Sequence, residues 1–256
     1  LHAYDYLAYA NLQMGRDEAA RAVMAEMKRV EKPADNFAVA FGFAAIPARM
    51  ALERGAWSEA AKLDMYPARD AYPWDKHPHA EAINAYARGV GAARSKDVAA
   101  ARAEHQRLIA LRDKCKDLKL GYWADQLDIQ AEAVSGLVAL AEGKQQQGMD
   151  LLRKAAARED ATEKHPVTPG PLIPARELLA QALLEQGDAA GAMKEFEAVL
   201  VREPNRYRPM LGAAMAADKA GDRERARQHY TSLLQVADGA DAARGELVAA
   251  RKFVGR

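Results

Sequence analysis

Three histidines stand where the chain could do chemistry. His77 and His79 close the stretch Met65-Tyr-Pro-Ala-Arg-Asp-Ala-Tyr-Pro-Trp-Asp-Lys-His-Pro-His79, and His165 lies within Asp160-Ala-Thr-Glu-Lys-His-Pro-Val-Thr-Pro-Gly-Pro171. Both stretches contain Lys-His-Pro, at Lys76-His77-Pro78 and Lys164-His165-Pro166. Proline fixes φ, so polar groups beside it lose less entropy when they order around a ligand. Long ordered loops in helical proteins are often functional. If the two loops meet, His77, His79 and His165 with Asp75 and Glu163 offer imidazole and carboxylate, ligands suited to zinc or copper. The competing reading has His77 and His165 donating hydrogen bonds to loop carbonyls and fixing the loop shape. We assign no metal and no cofactor on this basis. The loops instead define a small-molecule site as the alternative reading, around Trp74, His77, His79, Lys164, His165 and Thr168.

Signatures of catalysis are missing from the sequence. It has no glycine-rich phosphate loop, no nucleophile elbow and no His-Glu-x-x-His spacing. Asp160 and Glu163 near His165 suit acid–base work, but equally suit a helix C-terminus leading into a hydrogen-bonded loop. Cys115 sits between Lys114 and Lys116 in a setting that reads as exposed, where flanking ammonium groups would lower a thiol pKa. A lone cysteine is more often incidental, and the chain reads as a non-enzyme.

Composition narrows the classes further. The formal charge is +1, with Arg and Lys alternating with Asp and Glu along the exposed helix faces. Nucleic-acid binders gather a basic surplus on one face, so no nucleic-acid partner is expected. The single cysteine excludes an internal disulfide. The longest apolar stretch, Ala38 to Ala48, is broken by Gly42 and Pro47 and is too short to cross a bilayer.

The elements that position these residues announce themselves through their turns. Gly15, Gly55, Lys96, Gly143, Gly187 and Gly221 each have a small residue seven positions earlier (Ala8, Ala48, Gly89, Gly136, Ala180, Ala214). Each also has one five positions later (Ala20, Ala60, Ala101, Gly148, Ala192, Ala226). That pattern suits a left-handed turn residue joining two helices whose small side chains permit close approach. In the last two units the turn is followed nine positions on by Phe196 or Tyr230, then by Val199 or Leu233, and Pro204 ends the fifth unit. With these features the chain resembles the tetratricopeptide repeat family, whose unit is a helix–turn–helix of about 34 residues. The interval from Gly187 to Gly221 is 34 residues, and the earlier ones are 40, 41, 47 and 44.

The resemblance implies an all-α fold: one domain over 1–256, a right-handed α-solenoid of about six hairpins centred on 15, 55, 96, 143, 187 and 221. A capping helix follows at about 241–254, with Leu247, Val248 and Phe253 on its apolar side. Three departures are expected to leave marks. Lys96 replaces a turn glycine, Asp64 replaces a bulky residue and shortens the second unit, and Pro47 kinks or divides a helix spanning Asp35 to Arg54.

Tetratricopeptide arrays bind protein or peptide partners in a concave groove. Carried over by spacing, its members are Asp5, Tyr9, Arg49, Tyr86, Glu177, Gln181 and Arg208, a mixed set without the cationic convergence of a carboxylate clamp. The expected function is therefore a protein-binding scaffold. No cap precedes Leu1, so the first hairpin, with Tyr4, Leu7, Met24 and Met27, is expected to pack on preceding sequence or another chain, with self-association as one outcome. The stretch before Pro174-Ala-Arg-Glu-Leu-Leu179 also resembles a loop of bacterial tetratricopeptide proteins, some of them exported. That likeness implies an N-terminal continuation and leaves a cytoplasmic or a periplasmic location open.

Overall fold

The computed structural model describes residues 1–242 and 244–255, and among them the chain is all-helical, with no strand. Thirteen α-helices follow one another. The first six are α1 (His2–Gln13), α2 (Asp17–Lys28), α3 (Phe37–Glu53), α4 (Trp57–Ala61), α5 (Pro78–Arg94) and α6 (Val98–Asp117). The others are α7 (Gly121–Ala141), α8 (Gln145–Asp160), α9 (Ala175–Glu185), α10 (Ala189–Arg202), α11 (Tyr207–Lys219), α12 (Arg223–Val236) and α13 (Gly245–Val254). Most of the packing is between chain neighbours, or between alternate helices such as α3 with α5 and α5 with α7.

The six turns share one construction. In each, the residue after the turn position donates its N–H five residues back, as Arg16 does to the Asn11 carbonyl and Asp97 to that of Ala92. This is the Schellman closure of a helix C-terminus, which puts the turn residue in the left-handed region. Lys96 adopts φ 64°, close to the 64° of Gly55, so lysine accepts the conformation its neighbours leave to glycine. The next helix is then started by an aspartate in three units: Asp97, Asp188 and Asp222 each accept an N–H from three residues on. All nine alanines of the small-residue pattern are fully buried, as close helix approach requires.

Burial separates inner from outer helices. α5 is buried at every position except Arg88 and Arg94, whereas α6 buries only Ala101, Glu104, Leu108, Leu111 and Cys115, a single 3–4-spaced stripe. Outer helices meet solvent with their remaining faces. The second unit is abbreviated as Asp64 implied, with α4 only five residues long. Pro47 does not divide α3, which runs through it from Phe37 to Glu53; burial on both sides of Pro47 holds the helix together.

The turn of the first hairpin meets the far part of the chain, while Tyr6 and Leu7 on α1 stay exposed. The Tyr207 N–H donates to Gln13 (2.8 Å), Arg16 to the Asp238 carbonyl (3.1 Å), and the Asp241 N–H to the Gly15 carbonyl (3.1 Å). Arg244 pairs with Asp17 at 2.5 Å. The turn of the first hairpin is thus covered by α11 and by the segment between α12 and α13. The capping segment begins later than 241, with α13 starting at Gly245 and burying Leu247 and Ala250.

Candidate functional site

Closing first hairpin on last brings α1, α3, α5, α9 and α11 around one centre. Arg206, fully buried just before α11, donates to Glu53 (2.6 Å), Glu177 (3.2 Å) and Glu203 (2.9 Å), and to the Leu172 carbonyl (2.7 Å). Arg49, also fully buried, donates to Asp5 (2.8 Å) and to the Gly170 carbonyl (3.2 Å). Arg208 reaches Glu177 at 2.8 Å. The Tyr9 ring lies under both guanidiniums, 5.2 Å from Arg49 and 5.9 Å from Arg206. Tyr86 donates its hydroxyl to the Ile173 carbonyl (3.2 Å), and Gln181 its amide to Glu177 (2.9 Å).

Every residue expected in the groove is therefore in one cluster, but the cluster is an interior. Asp5, Arg49, Tyr86 and Glu177 are buried, Tyr9, Gln181 and Arg208 partly so. Two causes enclose these side chains: the first hairpin meets the last, and residues 170–172 run beside them, giving carbonyls to Arg49 and Arg206. Burial works against the charge of Arg206, but Glu53, Glu177 and Glu203 outweigh it and hold the guanidinium well above its usual range. Burial also pushes the Glu53 carboxyl up, against the pull of Arg206.

Beside this centre lies a cavity of about 100 Å³, bounded by α3, α5, α7, α8 and the second loop. Its apolar walls are Phe41, Ile83, Trp123, Leu127, Leu172 and Ile173. Its polar lining includes His79, Gln130, Glu159, His165 and Thr168. The two Lys-His-Pro loops do meet here, through rings. His79 lies between Phe37 (5.1 Å between centroids, planes 18° apart) and Trp123 (5.3 Å, 26°). His165 rests on the same two rings, 5.3 Å from Phe37 and 5.0 Å from Trp123.

His79 is the unusual group. It is buried, and neither Nδ1 nor Nε2 has a hydrogen-bond partner; Gln130 Oε1 is buried and unpartnered as well. Burial, then the nearby His77 and His165, lowers the His79 pKa to about 4, so the imidazole is neutral with one donor and one acceptor free. Glu159 accepts the Ala175 N–H at 2.7 Å, yet burial, reinforced by Glu203 and Asp160, raises its carboxyl to about 8. It is a neutral acid at pH 7 and has a proton to donate.

The other loop residues have separate duties. Trp74 is buried away from the cavity, donating to the Pro67 carbonyl at 3.1 Å. His77 bonds Asp35 (2.7 Å), and Lys76 pairs with the same carboxylate (2.6 Å), anchoring the first loop to the segment before α3. His165 fixes its own loop, its Nδ1 accepting from the Val167 N–H (3.2 Å) and its N–H donating to Tyr122 (3.1 Å). Lys164 is exposed on the rim; Thr168 is buried in the wall. Asp160 is engaged by Arg176, and among the described residues no three His, Cys, Asp or Glu side chains converge as a metal set. Cys115 is buried, contrary to its exposed reading, and burial pushes its thiol up to about 11 despite the flanking lysines.

Trp123, Gln130 and Glu159 escape a reading by motif. A signal for two of them exists: Trp123, Gln126, Leu127 and Gln130 share one helical stripe, with amides interrupting an apolar face. Glu159 has none, since a carboxylate at a helix end resembles any other. No protein-family model matches the chain, and a search of curated proteins finds no relative. No helix among the described residues is long and apolar enough to cross a membrane.

Proposed function

We propose that the protein binds a small organic molecule in the cavity walled by α3, α5, α7 and the second Lys-His-Pro loop, and that it acts as a binder and not as a catalyst. The observation that carries this reading is the pair of unpartnered nitrogens on buried His79, which with Gln130, whose Oε1 is also unpartnered, lines an apolar-walled cavity. Leaving a buried polar atom unpaired costs about 1–3 kcal/mol, so a folded chain keeps such atoms chiefly where something else pairs with them. The helices serve as the frame. Their six like-built turns and buried alanine pairs support reading them as tetratricopeptide-like hairpins of a right-handed solenoid that has closed.

A protein-binding scaffold, the reading that spacing favours, needs a solvated groove, and the groove side chains are occupied with one another. Such a role therefore requires a different surface. Ligand-observed NMR with a fragment library tests the proposal: fragments should bind the wild-type protein and lose binding in His79→Phe and Gln130→Leu. Equal binding to all three proteins would sink it. Native mass spectrometry of protein purified gently from its source should also find a retained mass that both variants lack.

A further inference from the structure

The chemistry of the cavity wall says what kind of molecule it accepts, an inference that rests on the binding reading above. The buried polar groups that line it include an imidazole, an amide, a hydroxyl and a carboxyl held by a backbone N–H. The rim charges are already matched to one another. Arg176 pairs with Asp160 and Glu195, Arg202 reaches Asp160 and the Asp160 and Thr162 carbonyls, and Glu203 pairs with Arg206. Lys164 and Glu163, the remaining charged groups of the lining, are exposed. A carboxylate entering the cavity would leave water without gaining a counter-charge inside, and an ammonium would fare the same; both costs are large in an apolar setting.

The unpaired atoms also specify an edge. Gln130 Oε1 only accepts, whereas a neutral imidazole offers one donor and one acceptor. The two ring nitrogens diverge, so one flat group meets Gln130 Oε1 and a single His79 nitrogen. A primary carboxamide suits either tautomer: its NH₂ donates to Gln130, and it donates a second N–H to, or accepts through its oxygen from, the His79 nitrogen it faces. The walls of Phe41, Trp123 and Leu127 suit a flat apolar body behind that edge. The volume, about 100 Å³, is of the order of the roughly 150 Å³ apolar cavity known to take benzene.

We infer that the cavity recognises an uncharged molecule with a flat apolar body and a carboxamide-type edge, bound through His79 and Gln130. Four probes of one shape test this: benzamide, benzoate, benzylammonium and toluene, titrated into protein with ¹⁵N-labelled histidine at pH 7. Benzamide should move the His79 ring resonances and bind about tenfold or more tightly than either charged probe and than toluene. Gln130→Leu should reduce the preference for benzamide over toluene while toluene still binds. If benzoate or benzylammonium matches benzamide, the inference of a neutral ligand is overturned and the binding reading stands. If toluene matches benzamide, the polar edge is overturned. If no probe moves His79, this inference and the binding reading fall together.

Discussion

Two polar regions lie side by side in the interior, and they are built on opposite terms. At the centre, Arg49, Arg206 and Arg208 meet Asp5, Glu53, Glu177 and Glu203, and the carbonyls of 170–172 take further donors. In the cavity next to it, His79 and Gln130 present atoms with no partner at all. The second loop serves both, giving backbone carbonyls to the arginines from one end and His165 and Thr168 to the cavity from the other. A paired buried charge cluster fixes a fold; unpaired buried polar atoms leave capacity for a ligand. Chemistry-bearing residue types alone do not distinguish them, and the accounting of partners does. At the centre Glu53 Oε2 and Gln181 Oε1 also lack a partner, but each side chain is bonded through its other polar atom, whereas His79 is bonded through neither nitrogen.

The largest effect should come from the centre. Arg206→Met takes the guanidinium from Glu53 and Glu203 and leaves Glu177 to Arg208 alone, and urea unfolding should show a loss of about 3–5 kcal/mol, the usual result of removing one member of a buried ion cluster. A loss below about 1 kcal/mol would show that the cluster does not hold the ends together.

Titration should separate the regions next. Glu159 is raised to about 8 in the fold, so the unfolded chain releases its proton first. Its contribution is whole below the unfolded value and is lost as pH rises through 8. His79 is lowered to about 4, so its contribution is present above about 6.5 and is lost as pH falls through 4. The two oppose each other at mildly acidic pH, and between pH 6.5 and 8 Glu159 acts without the His79 term. Over that window Glu159→Gln should flatten the decline of stability by up to about 1 kcal/mol per pH unit. Thermal melts at half-unit steps will show it, and parallel curves for the two proteins would contradict it.

His79→Phe should be smaller and of opposite sign to Arg206→Met. Removing two unpaired nitrogens while keeping the ring between Phe37 and Trp123 should leave stability unchanged or raise it by about 1 kcal/mol. A loss above about 2 kcal/mol would mean that the imidazole is a structural member after all. Lys96→Gly, remote from both regions, should gain about 0.5–1 kcal/mol by relieving a left-handed lysine and supplies the baseline.

Much of the helical frame is legible in the sequence, because close packing writes a local rule. Small residues at −7 and +5 from a turn can be read without knowing any distant contact, and Lys96 and the short α4 follow from the same rule. The closure is not legible in this way. Gln13 with Tyr207 and Gly15 with Asp241 join residues about as far apart as the chain allows, and neither pair has a periodic signature. The groove residues were findable by spacing, but their burial depends on that closure and on where residues 170–173 run. His79 and His165 were findable as loop histidines. Glu159 was not, because its protonation comes from surroundings assembled from four helices.

The bond between Gly15 and Asp241 has a consequence for how the molecule comes apart. A row of hairpins with free ends frays, because each terminal unit is held from one side only. Here loosening the first hairpin would expose Asp5, Gln13 and Asp17 together, withdrawing partners from Arg49, the Tyr207 amide and Arg244. Fraying at either terminus therefore carries the penalty of opening the middle. Amide hydrogens of α1 and α12 should exchange with free energies close to those of α5 and α7, and the whole array should unfold as one cooperative unit.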